Sequence, residues 1–160
     1  MKVEVTQITN IDLARKACKF TTDEESTIKY STLCKNEHSP LRTIMYWVEM
    51  YDIPTFVSVH FVRHKVGVEH FVKSNREDRS NNETVPDRNT LVNHAMLINA
   101  QSLINMAQVR LCHKASFETR QLMEMIVSKM ENPICNYLIP KCDYRNGICG
   151  EVNSCGRLRK

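Results

Sequence analysis

Arg63, His64 and Lys65, followed by Lys73, Arg76 and Arg79, form a basic cluster. Cations at this density suit an anionic ligand such as a phosphate, which a guanidinium binds bidentately. The competing reading is a solvated basic face. His60, Arg63 and His64 stand at i, i+3 and i+4, so a helix would make their side chains converge. Phe61 and Val62 lie between them. The cluster then sits on a partly buried element, where an unpaired Arg is expensive. That favours a bound anion or a carboxylate partner.

A second constellation lies in MLINAQSLINMAQVRLCHKASFETRQ. At ~100° per residue, Asn99 and Arg110 fall within about 20° of each other on a helix, and Gln101 and Asn105 point to the opposite side. A helix polar on two opposite faces and apolar between them is not a simple surface helix. Either its amides are buried and satisfied by neighbouring backbone, or the helix is wedged between two ligands or two subunits.

The third is Cys135, Cys142, Cys149 and Cys155, four of the seven Cys in the chain. Four thiolates can hold a structural zinc ion or an iron–sulfur cluster. Zinc pairs usually stand closer, at C-x2–4-C, and buried apolar Cys is the alternative. Cys18, Cys34 and Cys112 are scattered and read as core.

The elements that must position these residues follow from pattern. MKVEVTQI alternates and suits a strand. Asn10 or Asp12 can cap a helix around residues 13–20, and 28–37 can form another. In TIMYWVEMYDI, Ile44, Tyr46, Val48 and Met50 share one face at period two, which reads as a strand. IPTFVSVHFVRHK is ambiguous: its β-branched residues favour strand, while Pro54 suits a helix start. Residues 74–90 are polar and form a loop. Residues 91–130 lack Gly and Pro and are rich in Leu, Met, Ala and Gln, so they read as helix, with a break near 114–116. His94 and His113 read as surface or cap residues.

The 160 residues suit one domain, and the net charge of +4 makes no case for a dedicated nucleic-acid binder. No apolar run approaches the ~18 residues of a membrane span. The start of the chain has no apolar signal core, so a cytoplasmic location with reduced thiols is expected. GxSxG, P-loop, GxGxxG and HExxH motifs are absent.

In FVRHKVGVEHFVKSNREDR the sequence resembles the flavin-dependent thymidylate synthases, the ThyX family. Their signature is Arg-His-Arg, a seven-residue spacer, Ser, and an Arg two residues on. Here Arg63-His64-Lys65 supplies the triplet, and Ser74 and Arg76 follow an eight-residue spacer. EHSP resembles the family's His-x-Ser/Thr-Pro turn. NAQSLINMAQVRLCHKASFETRQL resembles its long helix, Asn-x-Arg-Ser-Leu-x-x-Phe-x-x-x-Arg, with the Ala-Gln-x-Glu-Ile stretch that follows. Together these blocks span residues 37–125.

The resemblance implies an α+β fold: a ThyX-like sheet carrying a helical layer with long central helices, here followed by a Cys-rich C-terminal tail. It implies that 54–73 is mostly helical, and that residues 1–132 form the flavin and nucleotide unit, with 133–160 an appended tail. The implied assembly is a homotetramer with active sites between subunits. Arg63, His64 and Lys65, with His38 and Ser39, would contact FAD, as would Asn99, Gln101 and Asn105. His60, Ser74, Arg76, Arg79 and Arg110 would bind dUMP, with Arg110 and Ser74 closest to the chemistry. The implied reaction is reductive methylation of dUMP to dTMP with methylenetetrahydrofolate, FAD and NADPH.

Departures from the family pattern are specific. The chain is short, and the deletion falls between Arg79 and Val85. A family nucleotide-binding Arg is lost there, and Arg79 or Arg88 is the nearest substitute. Lys65 and Gln101 replace Arg, and the Cys tail is foreign. These features suit a compact phage-type member, cytoplasmic in a bacterial host. The alternatives are a flavoenzyme acting on another pyrimidine nucleotide or on nucleic acid, and a metal-stabilised, non-enzymatic assembly module.

Overall fold

A computed structural model of the chain describes residues 1–74 and 87–158. Arg76 and Arg79, both expected at the nucleotide phosphate, lie outside the described residues.

The described residues form four strands, β1 (Lys2–Gln7), β2 (Met45–Pro54), β3 (Val68–Val72) and β4 (Leu91–Asn99). They form one sheet in the order β1-β2-β4-β3, and every neighbouring pair is antiparallel. The helices are α1 (Ile11–Thr22), α2 (Tyr30–Asn36), α3 (Thr55–Val62), α4 (Ala100–Arg110), α5 (Phe117–Ser128) and the single turn α6 (Lys141–Tyr144). Short 3-10 turns occupy Ser39–Thr43 and Ile134–Tyr137. This is the α+β architecture expected. Among the described residues no helix is long and apolar enough to cross a membrane.

The alternation in β2 is real: Tyr46, Val48 and Met50 are buried while their neighbours are partly exposed. Between Met50 and Ile53 the register with β4 shifts, with Asp52 at φ +52. The extra residue is a bulge that returns Ile53 to the buried face. Asn10 caps α1, its side chain accepting from the Asp12 amide.

Two expectations fail, each at a strand. Residues 91–99 are β4, not helix. Val92, His94, Met96 and Ile98 alternate into the core, and pairing with both β2 and β3 outweighs the helix preference of Leu, Met and Ala. The stretch 54–73 is helical only through Val62; Val68–Val72 is β3. The expected break between the later helices is present, since α4 ends at Arg110 and α5 starts at Phe117.

The core gathers Val48, Met96 and Ile98 from the sheet with Leu103, Ile104 and Met106 of α4 and Leu122 and Ile126 of α5. Each such side chain contributes about 1.5–3 kcal/mol through burial. The C-terminal segment joins this body: Ile134 and Leu138 are buried, and Tyr137 Oη donates to the Ser31 carbonyl at 3.1 Å.

Candidate functional site

Helix α4 continues directly from β4, so its first turn is anchored by the sheet. Asn99 ends the strand and caps the helix, its Oδ1 accepting from the Ser102 amide at 2.9 Å. The Ala100 amide donates to the Ile44 carbonyl at 2.8 Å. The helical wheel expected for Asn99 therefore applies only from Ala100 onward.

The triplet Arg63-His64-Lys65 sits in the turn from α3 to β3, and that turn is clamped on the start of α4. Ser102 Oγ donates to the Val66 carbonyl at 2.6 Å. The Asn99 amide donates to the Gly67 carbonyl at 3.0 Å. Gly67 has φ +67, and a Cβ there would lie 2.1 Å from Asn99 Nδ2 and 2.4 Å from Ser102 Oγ. Only glycine permits this approach.

A relay of imidazoles holds the same turn from the sheet side. His70 Nε2 lies 2.8 Å from the His64 carbonyl, His70 Nδ1 is 2.9 Å from His94 Nε2, and His94 Nδ1 is 3.1 Å from Ser58 Oγ. A carbonyl only accepts, so His70 Nε2 carries the proton and, in neutral His70, Nδ1 accepts. His94 Nε2 then donates, and Ser58 donates to His94 Nδ1. Burial first and His70 second push His94 down to about 4, so the His94 ring is neutral near pH 7. His94 is 1% exposed, contrary to the surface position expected from sequence. The overlooked signal was its place in the period-two run of β4.

Arg110 reaches from the end of α4 to the triplet. Its Nε donates to His64 Nε2 at 2.9 Å, and its Nη2 donates to the His60 carbonyl. His64 is therefore neutral with its proton on Nδ1. Burial, Arg110 and His70 push it down to about 4. Burial, Arg110 and Arg63 lower His60, whose Nδ1 bonds Thr119 Oγ1 at 2.8 Å. Burial and then Arg63 pull Arg110 below the usual arginine range. Among the described residues no carboxylate pairs with Arg110. The expected convergence of the His60, Arg63 and His64 side chains is not realised: α3 ends at Val62, Arg110 meets the His64 ring but only the backbone carbonyl of His60, and the His60 ring turns to Thr119. A half-buried guanidinium without a counter-ion is a site that favours an anion or a polarised carbonyl.

The opposite polar face of α4 also exists. Gln101 Nε2 donates to Asn105 Oδ1 at 3.2 Å and to a Glu37 carboxylate oxygen. Tyr144 Oη donates to the other Glu37 oxygen, and burial followed by Glu37 raises its phenol to about 12. Glu37 was not singled out from sequence, because a lone Glu beside His38 carries no pattern. Asn99 and Gln101, 8% and 7% exposed, already spend side-chain groups within the chain, whereas Asn105 is exposed.

The remaining expected residues line separate cavities. His38 and Ser39 border one of about 630 Å3, beside α1. Arg63 and Lys65 border another of about 360 Å3, floored by Val59, Val62, Val72 and Val92, with Lys73 also on its wall. Ser74 follows β3 directly, at the end of the described segment. Arg88 stacks its guanidinium 4.8 Å above the Phe56 ring.

The four tail cysteines do not assemble into a ligand set. Among the described residues no group of three or more His, Cys, Asp and Glu is placed to hold a metal ion. Cys135 is set apart, its Sγ 3.1 Å from Asn132 Oδ1. Cys142, Cys149 and Cys155 instead border a cavity of about 330 Å3 together with Cys112 and Arg110. Of the three Cys expected in the core, Cys34 is buried, while Cys18 and Cys112 are only partly so.

No family model and no curated protein matches the chain by sequence. Solved structures do match by shape. Thymidylate synthase X (ThyX) from Helicobacter pylori, with FAD and dUMP, superposes with a TM-score of 0.64 at 18% identity, covering 88% of this chain and 98% of that one. A second structure of the Helicobacter pylori enzyme, complexed with FAD and dUMP, gives a TM-score of 0.67 at 17% identity, covering 89% and 99%. From the strand order, the α3 turn clamped on α4 and this agreement over nearly the whole length, the chain has the fold of the flavin-dependent thymidylate synthases.

Proposed function

We propose that the chain is a flavin-dependent enzyme of uracil-nucleotide methylation, converting dUMP to dTMP with methylenetetrahydrofolate and NADPH. The observation that carries this reading is Arg110, half-buried and held by the His64 ring and the His60 carbonyl, with no carboxylate partner among the described residues. Its fold is shared with proteins solved with FAD and dUMP.

The residues present fit FAD by their donor chemistry. Arg63 and Lys65 supply exposed cations for a diphosphate, beside a valine-floored cavity that suits a ring. His38 and Ser39 offer polar groups at a second cavity, and Asn105 an exposed side-chain amide. Asn99 and Gln101 act mainly by fixing the first turn of α4. When bound, FAD supplies the redox chemistry, passing on the reducing equivalents of NADPH. Arg110 stabilises negative charge developing on the uracil carbonyl–imide edge, in a preorganised position that needs no rearrangement. His64 fixes the guanidinium through Nε2, and His60 lies on the same side. Ser74, Arg76 and Arg79 anchor the phosphate.

A homotetramer with shared sites belongs to this reading. In it, His38 and Ser39 at one cavity and Arg63 and Lys65 at another meet FAD from different subunits. Residues 1–132 form the catalytic unit and 133–160 its appendage.

The test is the absorbance spectrum of purified protein incubated with FAD and then NADPH. A yellow protein absorbing near ~450 nm that bleaches with NADPH is expected. Protein that stays colourless after FAD incubation and gel filtration refutes the reading.

A further inference from the structure

We propose that the cavity between the end of α4 and the Cys-bearing tail is a thiol-modification site, at which Cys142 exchanges with an anionic low-molecular-weight disulfide. The chemistry needs neither flavin nor nucleotide, so it is independent of the functional reading above.

Cys112, Cys142, Cys149 and Cys155 border this one cavity of about 330 Å3. Cys155 is exposed and the other three partly so, and solutes can therefore reach them. Cys142 is set apart by its contact: Arg157 Nη2 donates to its Sγ at 3.2 Å, while the same guanidinium pairs with Asp143. Lys141 and Arg145, before and after Cys142 in the chain, also line the wall. Among the described residues neither has a carboxylate partner. Lys114 is compensated by Glu151 at 3.6 Å. With Arg110 included, the cations around these thiols outnumber the carboxylates, and such a concavity concentrates small anions.

In thiol–disulfide exchange the attacking sulfur displaces one half of a disulfide and keeps the other as a mixed disulfide. Cys142 Sγ bonds one sulfur of the reagent, and the reagent's own S–S bond breaks. The second half leaves as a thiolate and takes up the proton that Cys142 gives up. Cys142 is oxidised and the released half is reduced. Negative charge passes from the attacking sulfur to the leaving one, and a guanidinium already beside Cys142 stabilises it there. Lys141 and Arg145 are placed to hold carboxylates of the retained half. Cys18 supplies the contrast, since the described wall of its cavity carries Glu24 and Glu25 and no Lys or Arg.

The test treats the full chain, reduced and then freed of reductant, with oxidised glutathione, an anion, or with cystamine, a cation. Adducts at each Cys are followed by peptide mass spectrometry. The ratio of the glutathione rate to the cystamine rate reads the charge around each sulfur. It is expected to be about tenfold or more higher at Cys142 than at Cys18 or Cys135, and to shrink in concentrated sodium chloride. Arg157→Gln is expected to slow the glutathione reaction at Cys142, and Lys141→Gln/Arg145→Gln to remove the preference for the anion. In both variants Cys135 should react as before and the buried Cys34 stay unmodified, which shows that they fold. Equal ratios at Cys142, Cys18 and Cys135 overturn the site. Faster glutathione addition at Cys149 or Cys155 overturns the assignment to Cys142, and unchanged rates in both variants overturn the role of the cations. The absorbance spectrum of the same sample, incubated with FAD, separates the two readings. Selective exchange in a colourless protein keeps this site and refutes flavin chemistry, and yellow protein without selectivity does the reverse.

Discussion

Replacing His94 by Gln should change how stability responds to acid, and the size of the change follows from the relay. His94 is 1% exposed and is held at about 4 rather than 6.5, chiefly by burial and then by His70. Its folded value lies below its unfolded one, so between them the unfolded chain binds more protons. The contribution is complete above about pH 6.5 and is lost as the pH falls towards 4. A fall from 6.5 to about 4 amounts to roughly 3 kcal/mol, or about 6–12 °C in Tm for a chain of this size. Gln places an amide nitrogen near the position of Nε2, keeps the donation to His70 and cannot titrate. It leaves Ser58 without its acceptor, a cost of about 1–2 kcal/mol at pH 7. Wild type should therefore be the more stable at pH 7, and the order should reverse near pH 4. Urea unfolding at both pH values, followed by the fluorescence of Trp47, the single tryptophan, reads this out. His64 and the carboxylates titrate in both proteins, so the difference isolates His94. Parallel loss of stability in the two proteins would refute the argument that a buried, neutral His94 braces the Arg63-His64-Lys65 turn.

Gly67→Ala should destabilise by more than about 2 kcal/mol in urea titrations, because the Cβ meets Asn99 and Ser102 in a left-handed conformation; an unchanged midpoint would show that the clamp yields. Glu37→Ala strips a partner from Gln101 and Tyr144. It should cost about 1–3 kcal/mol and speed proteolysis of the tail, measured as cleavage after residue 133. Arg110→Ala should weaken dUMP binding by about tenfold or more in calorimetry while the protein keeps its flavin; equal affinities would remove Arg110 from the nucleotide site.

Much of the site's logic was legible in local pattern. The two polar faces of α4 are both present, one turned to Glu37 and one to His64. The alternation of β1 and β2 was equally plain, as was a break near 114–116, which in the structure spans the residues from the end of α4 at Arg110 to the start of α5 at Phe117. These features depend on residues only a few positions apart, so periodicity reveals them. The misread elements depend on partners far along the chain. Residues 91–99 carry helix-forming side chains, and only pairing with β2 and β3 makes them a strand. Val68–Val72 becomes β3 because β4 is there to receive it.

Side-chain chemistry divides in the same way. Sequence alone determined which groups were available: the basic triplet, the amides of α4 and a tail rich in Cys. Tertiary structure decided which of them meet. It buried His94, brought Cys112 to the tail cavity in place of Cys135, and gave Gln101 a carboxylate at Glu37. The physical reason is that hydrogen bonding and desolvation act over a few ångströms. Distances of that kind between residues thirty or more apart are set by strand register and helix docking.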